Sequence, residues 1–248
     1  MKIKQLSLAL VASLGVISTV QAAVGGNQSY LATSSTDQFV KLSPTKVQAG
    51  VGTLFGGATV DFSHFKAFGP GTNGVYHFAG SDIPVPSHQA LGVWDFKQIG
   101  TKDIYFGEWS KELKDSSGNY TKQADSATHT VFYIGDNADS SITSTGTATY
   151  TVSGVNNGNN YTGNYSADFG ANTLTGSLTN GTDTFDLGNA TINASNAKIS
   201  GNDASWSGAN NNATGGQVTG QFFNNQQDLA GFAKFDDRTK DIAFGGSQ

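Results

Sequence analysis

The sequence predicts an all-β protein, in which an N-terminal antiparallel domain is followed by a small soluble eight-stranded antiparallel β-barrel. Glycine, at 32 of 248 residues, is about twice its usual share, and charged residues make up 13% where ~25% is usual. Short stretches alternate apolar with polar residues and are separated by turn residues, as half-buried strands are. Aromatic and aliphatic residues recur too regularly along the chain for a disordered protein.

Residues 1–22 have the form of a secretory signal peptide. Lys2 and Lys4 precede an apolar run over 6–20, and Ala22 supplies a small residue at the cleavage site. The run is too short, and its flanks are wrong, for a membrane-spanning helix. We therefore expect export through the periplasm and a soluble mature chain.

Composition also excludes several classes of function. The sequence has no cysteine, so it offers no disulfide, no thiolate nucleophile, no cysteine metal site and no lipoprotein-type lipid anchor. Loss of Lys2 and Lys4 with the leader takes the formal net charge from −5 to −7. An acidic chain is a poor partner for nucleic acid, because that binding rests on phosphate neutralisation by basic side chains.

The first part of the mature chain, residues 23–140, is expected to be an antiparallel domain with long loops. Charged and aromatic residues are denser here than in the second part, and all four histidines lie here. The pattern predicts strands over 58–66, 75–80, 88–97, 102–109 and 129–135. The Ser/Thr-rich segment 137–146 then marks the domain boundary.

The second part, residues 141–248, is expected to form the barrel. Residues 147–154, TATYTVSG, place Ala, Tyr and Val on one face and threonine on the other. In LTGSLTNGTDTFDL, two alternating runs flank Asn180-Gly181, which predicts a hairpin with a type I′ turn. Further strands are expected over 161–169, around Ile192 and Trp206, and over 217–223, 229–236 and 241–245. The polar outer face argues against a membrane barrel, which needs an apolar outer band.

Sequence motifs predict a binding protein rather than an enzyme. The chain contains no G-x-S-x-G nucleophile elbow, no H-E-x-x-H motif and no histidine pair at zinc-ligand spacing. Glutamate occurs only at Glu108 and Glu112. The sequence alone leaves a carboxylate pair for glycoside chemistry open.

The histidines carry a sharper hypothesis, because imidazole is the usual axial ligand of haem iron and a haem pocket needs an apolar, aromatic-walled slot. The candidate iron ligands are His88, His64, His129 and His77. The candidate pocket residues beside them are Phe68, Tyr76, Phe78 and Val85. No metal site other than the haem iron is expected. For each histidine alone, a hydrogen-bonded structural role is the commoner alternative.

Residues 215–237, GGQVTGQFFNNQQDLAGFAKFDD, and the closing IAFGGSQ resemble the C-terminal barrel of the transferrin-binding protein B-like superfamily. The recurring strands of that barrel correspond here to Gly216 to Phe223, Leu229 to Phe235 and Ile242 to Gly245. The runs DIYFGEWS and HTVFYIGDN are similar to the handle region that precedes the barrel. The absence of a lipobox cysteine departs from the surface lipoproteins and fits the secreted members, the hemophilins.

This resemblance implies a handle-like ligand-binding domain that holds haem b as cargo through histidine. It also implies a Gram-negative iron-acquisition role, in which a Slam-type translocator exports the hemophore and a TonB-dependent outer-membrane receptor accepts the haem. The protein would then be secreted through the periplasm, and be extracellular or loosely associated with the cell surface.

The ligand pair is not fixed by any motif. If the first-half strands form a simple meander, alternate strand ends meet, which groups His88 with His129 and His64 with His77. The apolar Ile-Pro-Val-Pro loop favours His88, and the phenylalanine cluster keeps His64 close behind. An interwoven homodimer would instead bring ligands from two chains. The candidates to bind the haem propionates are Lys66, Lys97 and Lys111. The alternative for each is a solvated surface lysine.

The competing class is a surface or secreted module that binds a host protein, of the transferrin or complement-regulator type, without haem. Such a module would show no Soret band, and its histidines would be dispensable.

Overall fold

The computed structural model describes residues 23–31, 39–52 and 54–248. The expected signal peptide, 1–22, lies outside the described residues. The N-terminal elements are β1 Gly25–Gln28, β2 Val40–Leu42, β3 Gln48–Val51, β4 Val60–Asp61, α1 Phe62–Phe65, β5 Tyr76–Ala79, β6 Val93–Gln98, β7 Ile104–Ser110, β8 Glu112–Lys114, β9 Tyr120–Ala124 and β10 Thr130–Gly135. Short 3₁₀ turns cover Leu54–Gly57, Lys66–Phe68, Gly80–Asp82, Pro86–Leu91, Ser126–Thr128 and Arg238–Lys240.

The N-terminal part is built on a five-stranded antiparallel sheet in the order β1-β10-β7-β6-β5. Strands β5, β6 and β7 follow one another as a meander, and β10 joins β7 after the β8–β9 hairpin. A separate three-stranded sheet, β2-β3-β4, lies beside it. The antiparallel N-terminal arrangement expected from the sequence is therefore confirmed.

One face of the five-stranded sheet carries a buried aromatic core. Alternate residues of β6, β7 and β10 supply it, among them Trp94 and Tyr105. Helix α1 covers this face with Phe62, whose ring stacks on Tyr105 at 4.2 Å, and with Phe65, whose ring stacks on Trp94 at 4.7 Å. Stacked aromatic rings contribute about 0.5–1.5 kcal/mol each beyond their buried area.

Two expected strands begin or end differently in the structure. The strand expected over 58–66 stops at Asp61 and becomes α1, because the i, i+3 spacing of Phe62 and Phe65 puts both rings on one helical face. The strand expected over 88–97 begins only at Val93, because Pro86 starts a 3₁₀ turn that runs to Leu91.

The second part is a closed antiparallel barrel. Its strands are β11 Thr147–Asn156, β12 Asn159–Asp168, β13 Thr173–Thr179, β14 Asp183–Asp186, β15 Ala190–Asn193, β16 Lys198–Gly208, β17 Ala213–Phe223, β18 Asp228–Lys234 and β19 Ile242–Ser247. Strands β14 and β15 each pair with both β13 and β16, so together they fill one position in an eight-stranded barrel. Side chains fill the interior, as in other small barrels. The expected eight-stranded barrel is confirmed.

The hairpin at Asn180-Gly181 forms, but its turn is not of type I′. Only Gly181 has a positive φ, of 90°, whereas a type I′ turn needs positive φ at both central residues. The Asn180 side chain instead accepts hydrogen bonds from the N–H groups of Thr182 (2.9 Å) and Asp183 (2.8 Å). This asparagine-capped turn satisfies the loop backbone without a left-handed asparagine.

The other face of the five-stranded sheet packs on the outer wall of the barrel. Phe106, Val131 and Tyr133 from the sheet meet Phe232 and Ala243 from β18 and β19 in one buried cluster. Both faces of this sheet are therefore covered, one by the aromatic core and the other by the barrel.

We expect Phe62→Ala to lower the free energy of unfolding by about 3–5 kcal/mol, the usual cost of deleting a buried aromatic ring. Phe62 is 1% exposed and stacks on Tyr105. The control is Leu113→Ala, because Leu113 is 38% exposed and its truncation should change stability by about 0.5 kcal/mol or less. Urea unfolding followed by tryptophan fluorescence checks both values, and equal effects would contradict the assigned core.

Candidate functional site

The structure separates the four histidines into two environments. His77, Asp95 and Glu108 occupy neighbouring positions across β5, β6 and β7 on the barrel-facing side of the sheet. His129 precedes β10 and lines the same cleft as His77. His64 and His88 instead lie on segments that pack on the aromatic core. The grouping expected from strand ends therefore differs from the structure, because the alternation of sheet faces, and not only strand direction, decides which side chains meet.

His129 is buried, and both of its ring nitrogens are engaged. It is 2% exposed, its Nε2–H donates to Glu108 Oε2 at 2.7 Å, and its Nδ1–H donates to the carbonyl oxygen of Arg238. Burial by itself lowers the pKa of His129, but the Glu108 charge and these two acceptors outweigh burial and raise it. Neither nitrogen is free to coordinate iron in this arrangement.

Glu108 is in turn held by the barrel. The backbone N–H groups of Asn157 and Gly158, in the β11–β12 turn, donate to its two carboxylate oxygens at 3.0 and 2.6 Å. Arg238 adds its Nε–H to the His129 carbonyl at 3.0 Å. These contacts make the Glu108–His129 pair part of the junction between the sheet and the barrel.

His77 stands beside this junction, with 45% of its side chain exposed. Its Nδ1 and Asp95 Oδ1 are 2.7 Å apart, and this hydrogen bond raises the pKa of His77. The cleft it shares with His129 has a volume of about 460 Å³. Asp95, Glu108 and Lys122 also line that cleft, together with Val75, Val93 and Trp109, so its walls are a mixture of charged and apolar groups. Pockets for large flat apolar ligands are lined mainly by hydrophobic and aromatic side chains.

His88 lies in the Pro86–Leu91 turn, in apolar and solvent-exposed surroundings. Its ring centroid is 4.8 Å from that of Phe55. The backbone N–H of His88 donates to the Val85 carbonyl oxygen at 2.9 Å. Phe55 is 52% exposed and Val85 is 41% exposed. We call Phe55, Val85 and His88 the apolar rim. Nδ1 of His88 is 3.2 Å from Ser87 Oγ, and Nε2 has no hydrogen-bond partner among the described residues.

His64 is presented in a similar way on α1. Phe62 and Phe65 point into the core, so His64 lies on the exposed side of the helix. Its Nδ1 is 3.2 Å from the carbonyl oxygen of Asp61, which fixes Nδ1 as the protonated nitrogen and leaves the lone pair on Nε2.

The segments that carry His64 and His88 border the same aromatic core. Phe65, on the helix that carries His64, is a member of this core, and Ile83 and Leu91, before and within the turn that carries His88, pack against it. Phe65 also contacts Phe78, at a ring-centroid distance of 5.5 Å. Both segments thus pack on the side of the sheet that faces away from the barrel.

The remaining candidates are distributed unevenly. Phe78 is buried in the aromatic core, and Tyr76 is half-buried, with its ring stacked on Phe96 at 5.2 Å. Phe68 ends the Lys66–Phe68 turn after α1. Lys66 donates to Gln98 Oε1 at 2.7 Å and Lys97 to Asn160 Oδ1 at 2.9 Å, so both amines already have protein partners. Sequence reasoning missed Phe55, because a single phenylalanine in a glycine-rich loop carries no periodic signal.

Family models match nearly the whole chain. The model described as the HphA N-terminal heme-binding domain matches residues 16–121, and the model described as the HphA C-terminal domain matches residues 140–248. The N-terminal match includes His64, His77 and His88, and it ends before His129.

Solved structures share the fold at low sequence identity. The haemoglobin receptor HpuA of Kingella denitrificans matches with a TM-score of 0.53 and 16% identity, over 93% of this chain and 88% of HpuA. Transferrin-binding protein B (TbpB) of Neisseria meningitidis matches with a TM-score of 0.52 and 15% identity, over 91% of this chain and 43% of that protein. The chain thus spans less than half the length of TbpB. Within the described residues, no helix is long and apolar enough to cross a membrane.

The His129 ion pair predicts a pH dependence of stability. A histidine whose pKa is raised on folding stabilises the fold fully below its unfolded pKa, about 6.5, and this contribution is lost as the pH rises through the folded value. We therefore expect the difference in unfolding free energy between the wild type and His129→Gln to shrink above pH 6.5. Urea unfolding across the range from pH 5.5 to about 9 measures it.

Glu108→Gln serves as the second variant in this measurement, because it removes the charge that retains the proton and keeps the side-chain volume. It should lose the same component of the pH dependence as His129→Gln. A wild-type slope in both variants would show that another group is responsible.

Proposed function

We propose that this chain, which belongs to the HphA family of haem-binding proteins, captures haem at the apolar rim with His88 and His64 as the iron ligands. The observation that carries the proposal is the placement of His88 beside exposed apolar side chains, with an Nε2 that has no hydrogen-bond partner in the part of the chain that the structure describes. This surface lies within the stretch that matches the heme-binding domain. HphA-type proteins are binding proteins and not enzymes, in agreement with the expectation from sequence motifs.

The two imidazoles are suited to axial ligation because each has a partner on Nδ1. In His64, the Nδ1–H group donates to the Asp61 carbonyl oxygen. In the His88 tautomer whose Nδ1–H donates to Ser87 Oγ, Nε2 also carries the lone pair. A hydrogen bond to the second nitrogen fixes the tautomer and the orientation of the ring, as it does for metal-bound histidines in general.

The surroundings of the two imidazoles also suit a porphyrin. Phe55 and Val85 present apolar surface to solvent beside His88, and the aromatic core lies beneath both segments. Contiguous exposed apolar side chains are candidate ligand-binding surface in a soluble protein. The sequence has no cysteine for thioether attachment, which fits the haem b that the resemblance to hemophilins implies as cargo.

His77 and His129 fit ligation less well. His129 would have to give up two hydrogen bonds and a buried charge pair, and it lies beyond the heme-binding match. His77 already pairs with Asp95 through Nδ1, and three charged side chains, Asp95, Glu108 and Lys122, line the cleft that it faces. His77 is therefore the third candidate and His129 the fourth.

The biological role that follows is capture and delivery. Two axial histidines would fill both open positions on the iron and suppress oxygen chemistry, which suits a carrier. Capture by residues 23–140, secretion through a Slam-type translocator and transfer to a TonB-dependent receptor complete the proposal, and they rest on the resemblance to hemophilins. In a homodimer, His64 of one chain and His88 of the other would supply the two ligands of one site.

Haem titration of single variants tests the ligand assignment. We expect a sharp low-spin Soret band in the wild type and a shifted or lost band in His88→Ala and in His64→Ala. Loss of a ligand should weaken binding by more than the roughly 10–100-fold that loss of an outer-shell partner costs at metal sites.

His77→Ala is the matched control and should keep the wild-type spectrum. A spectral change confined to His77→Ala would move the site to the cleft that His77 shares with His129. A wild-type spectrum identical to that of free haem would reject the haem proposal. It would favour the host-protein module, which binding of labelled transferrin to the wild type would then test.

A further inference from the structure

We infer that Phe55 is a positioning residue for His88, held in a strained backbone conformation so that its ring fixes the orientation of the imidazole. This inference rests on the proposed function, because it assigns Phe55 a role in binding the same haem. The juxtaposition that carries it is an exposed aromatic ring packed on a candidate iron ligand.

The backbone at Phe55 is unusual for its side chain. Its φ and ψ are 52° and 37°, which is the left-handed region. Bulky residues rarely adopt this conformation, and such outliers persist only where the surroundings compensate the strain. Glycine or asparagine would adopt the same conformation at little cost. Structural stability of the loop alone therefore favours another residue at this position.

The strained backbone places the Phe55 ring against the His88 ring. Its ring lies 4.8 Å from the His88 ring, centroid to centroid, at an interplanar angle of 42°. About half of its surface remains exposed, so the ring is not held there by core packing. Phe55 covers one face of the imidazole, while Ser87 Oγ holds Nδ1. Together these two contacts restrict rotation of the ring about its Cβ–Cγ bond.

Restricted rotation matters for haem because axial ligation requires Nε2 to lie on the normal to the porphyrin plane. A ring that is already oriented loses less freedom on binding, and preorganisation of this kind increases affinity. The exposed half of the Phe55 ring also adds apolar surface next to the iron ligand. Phe55 thus acts on haem through His88 and by contact at the pocket edge.

Phe55→Gly separates positioning from a structural role, because the two roles predict opposite changes. Glycine relieves the backbone strain, so the thermal midpoint of the haem-free protein should stay unchanged or rise. The rate of haem release, measured as transfer of haem to excess apomyoglobin, should become roughly three- to tenfold faster. This is the change expected for the loss of one aromatic pair. Phe55→Tyr keeps an aromatic ring and should restore the wild-type release rate.

Two controls keep the inference distinguishable from the proposed function. Leu113→Ala removes an equally isolated exposed apolar side chain and should change neither quantity. His88→Ala tests the ligand itself, and an unchanged Soret band there would reject the proposed ligand set. A wild-type release rate in Phe55→Gly, with the Soret band lost in His88→Ala, would overturn only the role of Phe55. A lower thermal midpoint in Phe55→Gly, with an unchanged release rate, would show a purely structural residue.

Discussion

The junction of the two parts depends on one buried charge. The Glu108 side chain is 4% exposed, and a carboxylate removed from water costs several kcal/mol unless it is fully paired. Its partners are the His129 imidazolium from the sheet and two backbone N–H groups from the β11–β12 turn of the barrel. The charge is therefore satisfied only when the sheet is docked on the barrel. Register follows as well, because a shift of one residue would turn Glu108 toward the aromatic core.

A second buried charge, paired across the junction, joins the opposite end of the same sheet to the barrel. Lys102, in the β6–β7 turn, pairs with Asp228 at 2.5 Å, and Asp228 is fully buried in the barrel wall. Between the two pairs lies the apolar interface around Phe106 and Phe232. The barrel-facing side of the sheet is thus committed to docking and cannot open around a porphyrin without breaking these contacts. The opposite side packs against the three-stranded sheet, α1 and the Pro86–Leu91 turn, and the last two of these carry His64 and His88.

Much of this architecture could be predicted from the sequence. The alternating pattern of strands such as 147–154 and the turn residues between them predicted the all-β class and the eight-stranded barrel. The candidate site was harder, because iron-ligating and structural histidines have the same sequence appearance. What distinguishes His129 is its contact with the Arg238 carbonyl, 109 residues away, which no local pattern contains. Phe55 could not be predicted for a related reason. It lies in a loop, where no periodic sequence pattern indicates the backbone conformation.

The same side chain therefore serves two different purposes in this protein, and the environment of its two nitrogens decides between them. In His129 both nitrogens have acceptors as partners, the Arg238 carbonyl and the Glu108 carboxylate, and these contacts stabilise the protonated ring. In His64 one nitrogen is tied to a neighbouring backbone carbonyl and the other is left exposed, which is the state that a metal requires. His77 and His129 share a cleft of about 460 Å³, but a cavity by itself does not bind iron. Coordination needs an available nitrogen lone pair beside apolar surface, and His88 offers both in the tautomer whose Nδ1–H donates to Ser87 Oγ.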